Sequence, residues 1–554
     1  MIYLLSILAL TLHPLIWKAC YKNKLFLISQ VARLVIGILV IFVVSYFRLI
    51  DYTFEAFVSY GLFFLGLFFV LDFVHFKMKW SWITGAIGVL LLLSGVYMHS
   101  IYSMTITHDK YAFVKKKVEV VSKDSVSMDE KHIPVVPEKY ARYRSEKLLG
   151  ELEHSSYYEL GHTTIQKIDG TLYWVTPIEY TGFFKWLKAK SVPGYITMSA
   201  EDENADAKLV KHDMTYVPSA YFNQDLKRHV RSEYKDTILL DPSFEPDDSG
   251  KPFYVVPYGH YNKFRQIIDI EGVYVVNPEN GAIKDYKNKH VPKFIDQTIP
   301  TTVAEQWNSW YGKYVHGFWN SHFTQEDVKN PTHWKGMDEV NGVFNNQLQL
   351  NWFTDFTRPK AGSGSMVGYS LLNARTGKLT FYKDANGSLN GKAAMNVAEK
   401  TFRAQKYSAG TPTLYMIYGQ FTWVVPLMDS NDVFRDMMLI NAKNEKVYSA
   451  DETKRNLFDA YKYQLATRLT GDDTVPNDIA ELKEHTGTIT DVYKYQAEEN
   501  TNVEFMIKGL DKVFVVSSEN NPYVVFLNKG SKVKIKYVDT DETVTNVKDF
   551  ERIK

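Results

Sequence analysis

The chain has 554 residues, with 64 Lys and Arg against 63 Asp and Glu, for a formal net charge of +1. That parity persists beyond the first 100 residues, which argues against the clustered basic excess of a nucleic-acid-binding surface. The single cysteine, Cys20, leaves everything downstream without disulfides or cysteine-held metal, and a chain this long exceeds one hydrophobic core, so about two to four domains are expected.

Four apolar runs come first: Ile2 to Ala19, Leu25 to Phe47, Thr53 to Phe76 and Trp80 to Tyr102. Each approaches or exceeds the ~20 residues that cross ~30 Å of hydrocarbon as a helix, so residues 1–104 are expected to form a four-helix transmembrane region. No basic residue precedes the first run and no small-residue cleavage site follows Trp17 and Lys18, so it is read as an uncleaved span. Lys18, Lys22 and Lys24 separate spans one and two, and Lys77 and Lys79 separate three and four. The break with Arg48, Asp51 and Glu55 is mixed, so both termini are expected outside the cytoplasm, against a contrary signal from Lys115, Lys116 and Lys117. Arg33, His13 and Asp72 lie within the spans and carry two readings. One is a polar path through a bundle interior. The other, which is favoured, is an anchor with Arg33 and Asp72 near the interfaces and His13 with Pro14 as a kink.

Residues 160 to 450 repeat one pattern four times: an aromatic strand closing near a proline, a connection, then a second strand ending in a turn. The copies are Tyr173–Pro177 with Gly194–Met198, Tyr254–Pro257 with Gly272–Val276, Trp352–Asp355 with Gly368–Leu372, and Trp423–Pro426 with Met437–Ile440. Turns open at Asn277, Asn373 and Asn441, and β-branched and aromatic alternation gives each antiparallel unit one covered face. Helical stretches at Glu138 to His154, Thr301 to Tyr314, Ala393 to Gln405 and Thr453 to Leu469 supply the covers, an α+β architecture. In the third, Ala394, Val397, Ala398, Thr401 and Phe402 form one helical stripe.

Ala393 to Gln405 with Leu414 to Pro426, and the hairpin Leu372 to Leu379, resemble the PepSY domain family, best over residues 365 to 450 and loosely over 160 to 290. The departure is Asn, where that family usually has Asp, at the start of each turn. The resemblance implies a helix on a short antiparallel sheet in a secreted or membrane-bound bacterial protein. It further implies inhibition, modulation of envelope peptidases or scaffolding, and carries over no functional residue.

After the polar break Gly471 to Asp478, strands are expected at Gly487 to Val492, Val503 to Ile507, Val513 to Ser517, Tyr523 to Leu527 and Lys532 to Val538. Five short strands suit a small OB-like or SH3-like barrel, read first as a closing or docking domain.

Motifs for chemistry are sparse. His316, His322, Glu326, Asp327 and His333 lack metal-ligand spacing, and His229 with Arg228 and Arg231 reads as a solvated face. Gly362, Ser363, Gly364 and Ser365 read as a flexible loop, not a nucleophile elbow. Asp241, Glu245, Asp247 and Asp248 read as a solvated turn because the calcium-loop order is missing. The most unusual stretch is Trp307, Trp310, Tyr311, Tyr314, Phe318, Trp319 and Trp334, around His316. It is either an aromatic binding surface on Trp307, Trp310, Tyr314, His316, Trp319 and Trp334, or an interdomain core, since Trp307, Trp310, Tyr311 and Tyr314 fall at helical spacing.

The sequence therefore points to a non-enzymatic, multi-pass protein of a bacterial cell membrane. Extracytoplasmic α+β domains are expected at 105–300 and 301–470, the latter PepSY-like, with a small barrel at 484–554. The bilayer and a protein or cell-wall partner, or a second copy in a homo-oligomer, are the expected partners. No nucleic acid, cofactor, metal or catalytic residue is expected. Two alternatives stand beside this: a regulator or subunit of an envelope peptidase or hydrolase, and an accessory subunit of a transport or secretion complex.

Overall fold

The structure is a computed structural model describing residues 22–75, 81–122, 132–202, 204–333, 340–359, 364–383, 385, 387–431, 433–468, 482–497, 500–518, 521–538 and 544–553. The first apolar run with His13 and Cys20, the break with Lys77 and Lys79, Trp334, Gly362, Ser363 and the break Gly471 to Asp478 lie outside the described residues. By contact density the chain divides into two compact units, residues 1–392 and 393–554, taken in turn.

Three of the expected spans are helices: α1 (Lys24–Phe47), α2 (Phe54–His75) and α3 (Trp82–Thr105). Their mean hydropathies are 2.5, 2.1 and 1.6, yet protein covers only 18%, 13% and 22% of their apolar windows. Side chains such as Ile28, Val35, Phe42, Leu71 and Leu90 point outward, an arrangement stable in hydrocarbon and not in water. Helix α2 meets α3 through glycines: a Cβ on Gly66 would stand 2.7 Å from the Leu92 nitrogen and 2.8 Å from the Gly88 oxygen. Such close approach replaces the hydrophobic drive that lipid removes. Arg33 of α1 and Asp72 of α2 form a buried two-pronged ion pair, with Nη1 to Oδ2 at 2.7 Å and Nη2 bonded to Oδ1. Neither group stands alone at an interface or along an open path; each neutralises the other.

The link between α1 and α2 is clamped to the rest of the unit. Arg265 Nη1 reaches both carboxylate oxygens of Asp51 at 2.7 and 2.8 Å. Arg231 Nε donates to the Leu49 carbonyl at 3.2 Å, and the Tyr52 amide donates to the Lys235 carbonyl at 2.9 Å. Arg228 lies 4.1 Å over the Tyr46 ring. The expectation of a solvated face at Arg228, His229 and Arg231 is thus corrected. Arg231 is buried and also donates to Tyr234, Lys235 and Thr237 carbonyls, while His229 Nε2 bonds the Gly281 carbonyl at 2.7 Å.

Beyond α3, helix α4 (Thr107–Lys115) and strand β1 (Val118–Val121) lead to three sheets. The first follows α5 (Glu138–Gly150) and comprises β2 (Tyr158–Leu160), β3 (Thr164–Ile168), β4 (Thr171–Tyr180), β5 (Val192–Ser199) and β6 (Lys208–Met214), with α6 (Phe183–Ala189) between β4 and β5. The second follows α7 (Leu226–Glu233) and comprises β7 (Ile238–Leu239), β8 (Ser243–Phe244), β9 (Tyr254–Asn262), β10 (Ile267–Val276) and β11 (Ile283–Lys287). The third follows α8 (Thr301–Lys313) and α9 (Gly317–His322) and comprises β12 (Asn330–Pro331), β13 (Asn341–Phe344), β14 (Leu350–Thr357), β15 (Met366–Asn373) and β16 (Leu379–Tyr382), extended by β1 parallel to β16. In the second unit, α10 (Gly391–Thr401) precedes β17 (Ser408–Ala409), β18 (Thr413–Ile417), β19 (Gln420–Met428), β20 (Phe434–Asn441) and β21 (Tyr448–Asp451), and α11 (Lys454–Arg468) follows them.

All four sheets share one order: two short pieces pair with one edge of a long strand, which pairs with a second long strand, which pairs with a shorter third. The expected repeat is therefore a topological repeat. Its turns share chemistry too. Asn277 Oδ1 accepts from the Glu279 amide at 2.9 Å, Asn373 Oδ1 from Thr376 at 2.8 Å, and Asn441 Oδ1 from Lys443 and Asn444 at 2.9 Å each. The asparagine side chain preforms the bend before the hairpin closes.

Burial on the long central strands is nearly continuous, where alternation with one covered face was expected: Leu350 to Phe356 of β14 and Phe421 to Met428 of β19 are all buried, as strands covered on both faces are. Helix α8 covers the third sheet: Asn308, buried, donates to Thr354 Oγ1 at 3.2 Å and accepts from Ser370 Oγ at 2.7 Å. One apolar cluster joins Ile165, Ile268, Trp307, Phe356 and Phe381, so the three sheets of residues 1–392 share a core. In the fourth sheet, Tyr461 of α11 bonds Thr422 at 2.7 Å above buried Trp423.

The C-terminal strands are β22 (Leu482–Ala497), β23 (Asn500–Ile507), β24 (Val513–Ser517), β25 (Lys532–Val538) and β26 (Val544–Ile553). Pairing runs β22–β23–β24–β26–β25 and returns to β22, a closed ring around Val503, Phe505, Phe514, Ile535 and Phe550. One expected strand is corrected: Pro522–Phe526 is a 3₁₀ turn, capped by Asn521 Oδ1 on the Tyr523 amide, and the fifth strand is Val544–Ile553.

Candidate functional site

The aromatic stretch divides at the end of α8. Trp307 is 1% exposed, and Trp310 and Tyr311 are also buried. Trp307 meets Phe113 edge-on at 5.7 Å, Tyr311 stacks on Tyr111 at 6.3 Å, and Lys110 lies 5.4 Å over Trp310. Lys110 also donates to Ser103 in the last turns of α3, and burial pulls its pKa down. The stripe therefore joins α4, the helix leaving the membrane span, to the core of the third sheet. Tyr314 is half-buried at its end.

Past α8 the stretch turns outward. His316 is exposed, with Nε2 3.1 Å from Asp327 Oδ2, and Trp319 stacks on Phe323 at 5.7 Å, both rings open to the surroundings. Of the residues expected to act together, Trp307 and Trp310 lie in the core while His316 and Trp319 are exposed, and Trp334 lies outside the described residues. Among the described residues, no group of three His, Cys, Asp or Glu side chains is placed to hold a metal ion.

Buried carboxylates lie elsewhere. Glu245 is corrected from a solvated turn to a buried group: Ser243 Oγ donates to Oε1 at 2.6 Å and the Asp296 amide to Oε2 at 2.6 Å. Burial first, then the Asp296 charge, pushes its pKa from 4.5 up to about 8. Asp296 is raised to about 6 by burial, which the nearby Lys167 ammonium opposes at 3.8 Å. Because the folded state holds the Glu245 proton more tightly, this group's stabilisation is complete below pH 4.5 and is lost as pH rises to about 8. Wild-type protein should melt lower at pH 8.5 than at pH 5, and Glu245→Gln should flatten that difference, on the order of a few kcal/mol. Thermal melts at both pH values read it; an unchanged slope would refute the assignment.

A concavity of about 930 Å³ lies on the C-terminal ring, lined by Asn521, Tyr523, Lys532, Phe550, Glu551 and Arg552. Tyr523 and Phe526 are exposed beside it, and Asn521 Nδ2 ties its floor to the Phe550 carbonyl at 3.2 Å. The wall carries the Lys532 and Arg552 cations and the Glu551 carboxylate from β25 and β26, with the exposed Tyr523 ring of the 3₁₀ turn beside them, a mixed polar and aromatic chemistry suited to amide-rich ligands. Sequence reasoning missed this groove because Lys532 and Arg552 become neighbours only through the pairing of β25 with β26. It likewise missed the Asp51–Arg265 clamp, whose partners stand 214 positions apart.

No protein-family model, curated protein or solved structure matches the chain.

Proposed function

We propose that this is a non-enzymatic, membrane-anchored bacterial envelope protein whose domains outside the cytoplasm bind or scaffold a protein or cell-wall partner. The observation that carries the reading is the fourfold recurrence of one sheet order: repeated units multiply surface without demanding a shared reaction centre. A helix before each meander and an asparagine-built hairpin in three of them support PepSY-like units. The ring of β22 to β26, with its groove of aromatic and charged side chains, supports a small OB-like or SH3-like barrel in the docking role.

Sidedness rests on the clamp. The Asp51 link touches the domain, so Lys22 and Lys24, at the other end of α1, are read on the opposite membrane face. Positive charge retained in the cytoplasm then supports a domain outside it. The His316–Asp327 pair lies exposed without a second carboxylate within ion-pair reach among the described residues, which weighs against the hydrolase reading. Mutual neutralisation of Arg33 and Asp72 weighs against a conducting one.

A photo-crosslinking residue at Tyr523 in intact cells, with capture through a tag after Lys554, tests the reading. A discrete adduct should form and should vanish in Lys532→Glu/Arg552→Glu. An adduct indifferent to those charges, or a tag cleaved by protease only after cells are opened, would overturn it.

A further inference from the structure

Three separate groups of exposed aromatic side chains stand near the ends of the membrane-spanning helices, the first tied by distance to the end of α1 and the other two to the end of α3. The first is α6 with the segment before α7. Phe183 and Trp186 pack on Phe222 at 6.1 and 5.8 Å, leaving Phe184 at 75% exposure and Leu187 and Phe222 also open. Arg228 fixes the place: its Nη1 donates to the Phe222 carbonyl at 3.4 Å while its guanidinium covers Tyr46, one residue from the end of α1. Lys185, Lys188 and Lys190 flank this apolar face.

The second is the tip of the β9–β10 hairpin. Lys263, Phe264 and Arg265 occupy three successive left-handed conformations, uncommon for side chains of this bulk, and hold the Phe264 ring outward. That ring meets Tyr102 of α3 edge-on at 6.4 Å, and its neighbours pair with Asp109 and Asp51. The third is α9. A Cβ on Gly317 would lie 3.9 Å from Thr107 Oγ1, two residues past the end of α3. From there the stacked Trp319 and Phe323 project at 72% and 73% exposure.

Scattered apolar side chains on a surface need no explanation, but these are clustered aromatics, with lysines beside the first, at the ends of apolar spans. Aromatic rings with basic neighbours favour the layer between headgroups and acyl chains, where the ring is dehydrated and the cation meets phosphate. We propose that this face of the domain lies in that layer, with α6, the Phe264 tip and α9 as three contacts with the phospholipid surface of the protein's own bilayer. The domain is thereby held at a fixed height and tilt, independently of whatever partner it binds.

The test uses the full chain in nanodiscs of phosphatidylcholine and phosphatidylglycerol, in a Cys20→Ser background. Single variants Phe184→Cys, Phe222→Cys, Phe264→Cys, Trp319→Cys and Phe323→Cys receive a nitroxide, and Gly170→Cys on the exposed β3–β4 turn is the aqueous reference. Because all are surface positions, folding is checked only by monodispersity. Collisions with lipid-soluble oxygen should exceed those with an aqueous nickel chelate at all five positions, with the reverse at Gly170. Nickel-dominated collisions at any of the three contacts would overturn the proposal. So would protection from both quenchers, which would mean that protein, a second copy or a partner, covers the face.

Discussion

Asp72→Ala should destabilise the protein by about 3–5 kcal/mol, because it leaves the Arg33 guanidinium charged and unpartnered inside an apolar bundle. Arg33→Ala should do the same from the other side. The double variant Arg33→Met/Asp72→Leu should recover most of the loss, since replacing a buried pair with apolar bulk is often neutral or stabilising. Unfolding in mixed micelles, followed by the fraction of helix retained as SDS is added, gives the three values and their coupling. If the single variants were as stable as wild type but altered ion flux in vesicles, Arg33 and Asp72 would be a conduction path and the anchor reading would fall.

Trp307→Ala should lower stability by about 3–5 kcal/mol, as emptying a fully packed large site does. Trp307→Phe should lower it far less. Among the described residues the indole N–H of Trp307 finds no hydrogen-bond partner, so its removal relieves a desolvation penalty of about 1–3 kcal/mol while most of the ring contact with Phe113 remains. Thermal melting of the two variants separates the readings of the aromatic stretch. A Trp307→Ala protein that kept its melting temperature but lost its partner would make this residue a binding group.

How much of this was legible depended on length and locality. Spans α1 to α3 were legible because unbroken apolar runs need no tertiary context, and the repeat because Asn277, Asn373 and Asn441 build their turns from neighbouring amides. The two-residue strands β7, β8, β12 and β17 are too short to show any period, so the divided edge common to all four sheets could not be read. Helical spacing correctly marked Trp307, Trp310 and Tyr311 as one stripe. It was silent on Trp319, whose exposure depends on what the surface of α9 faces. Arg231 was misread because an arginine in a polar octapeptide ordinarily points to water, and its acceptors, Leu49 among them, are supplied by chain far away or by the local backbone after folding.

The Asp51 clamp also sets a schedule for biogenesis. Residues 49 to 52 are synthesised early, whereas Arg231 and Arg265 follow about two hundred positions later. Until then the hairpin of α1 and α2 carries an unmatched carboxylate at its turn. Completion of the second sheet is therefore the event that latches the hairpin of α1 and α2, and ribosomes stalled before Arg265 should leave that turn open to modifying reagents.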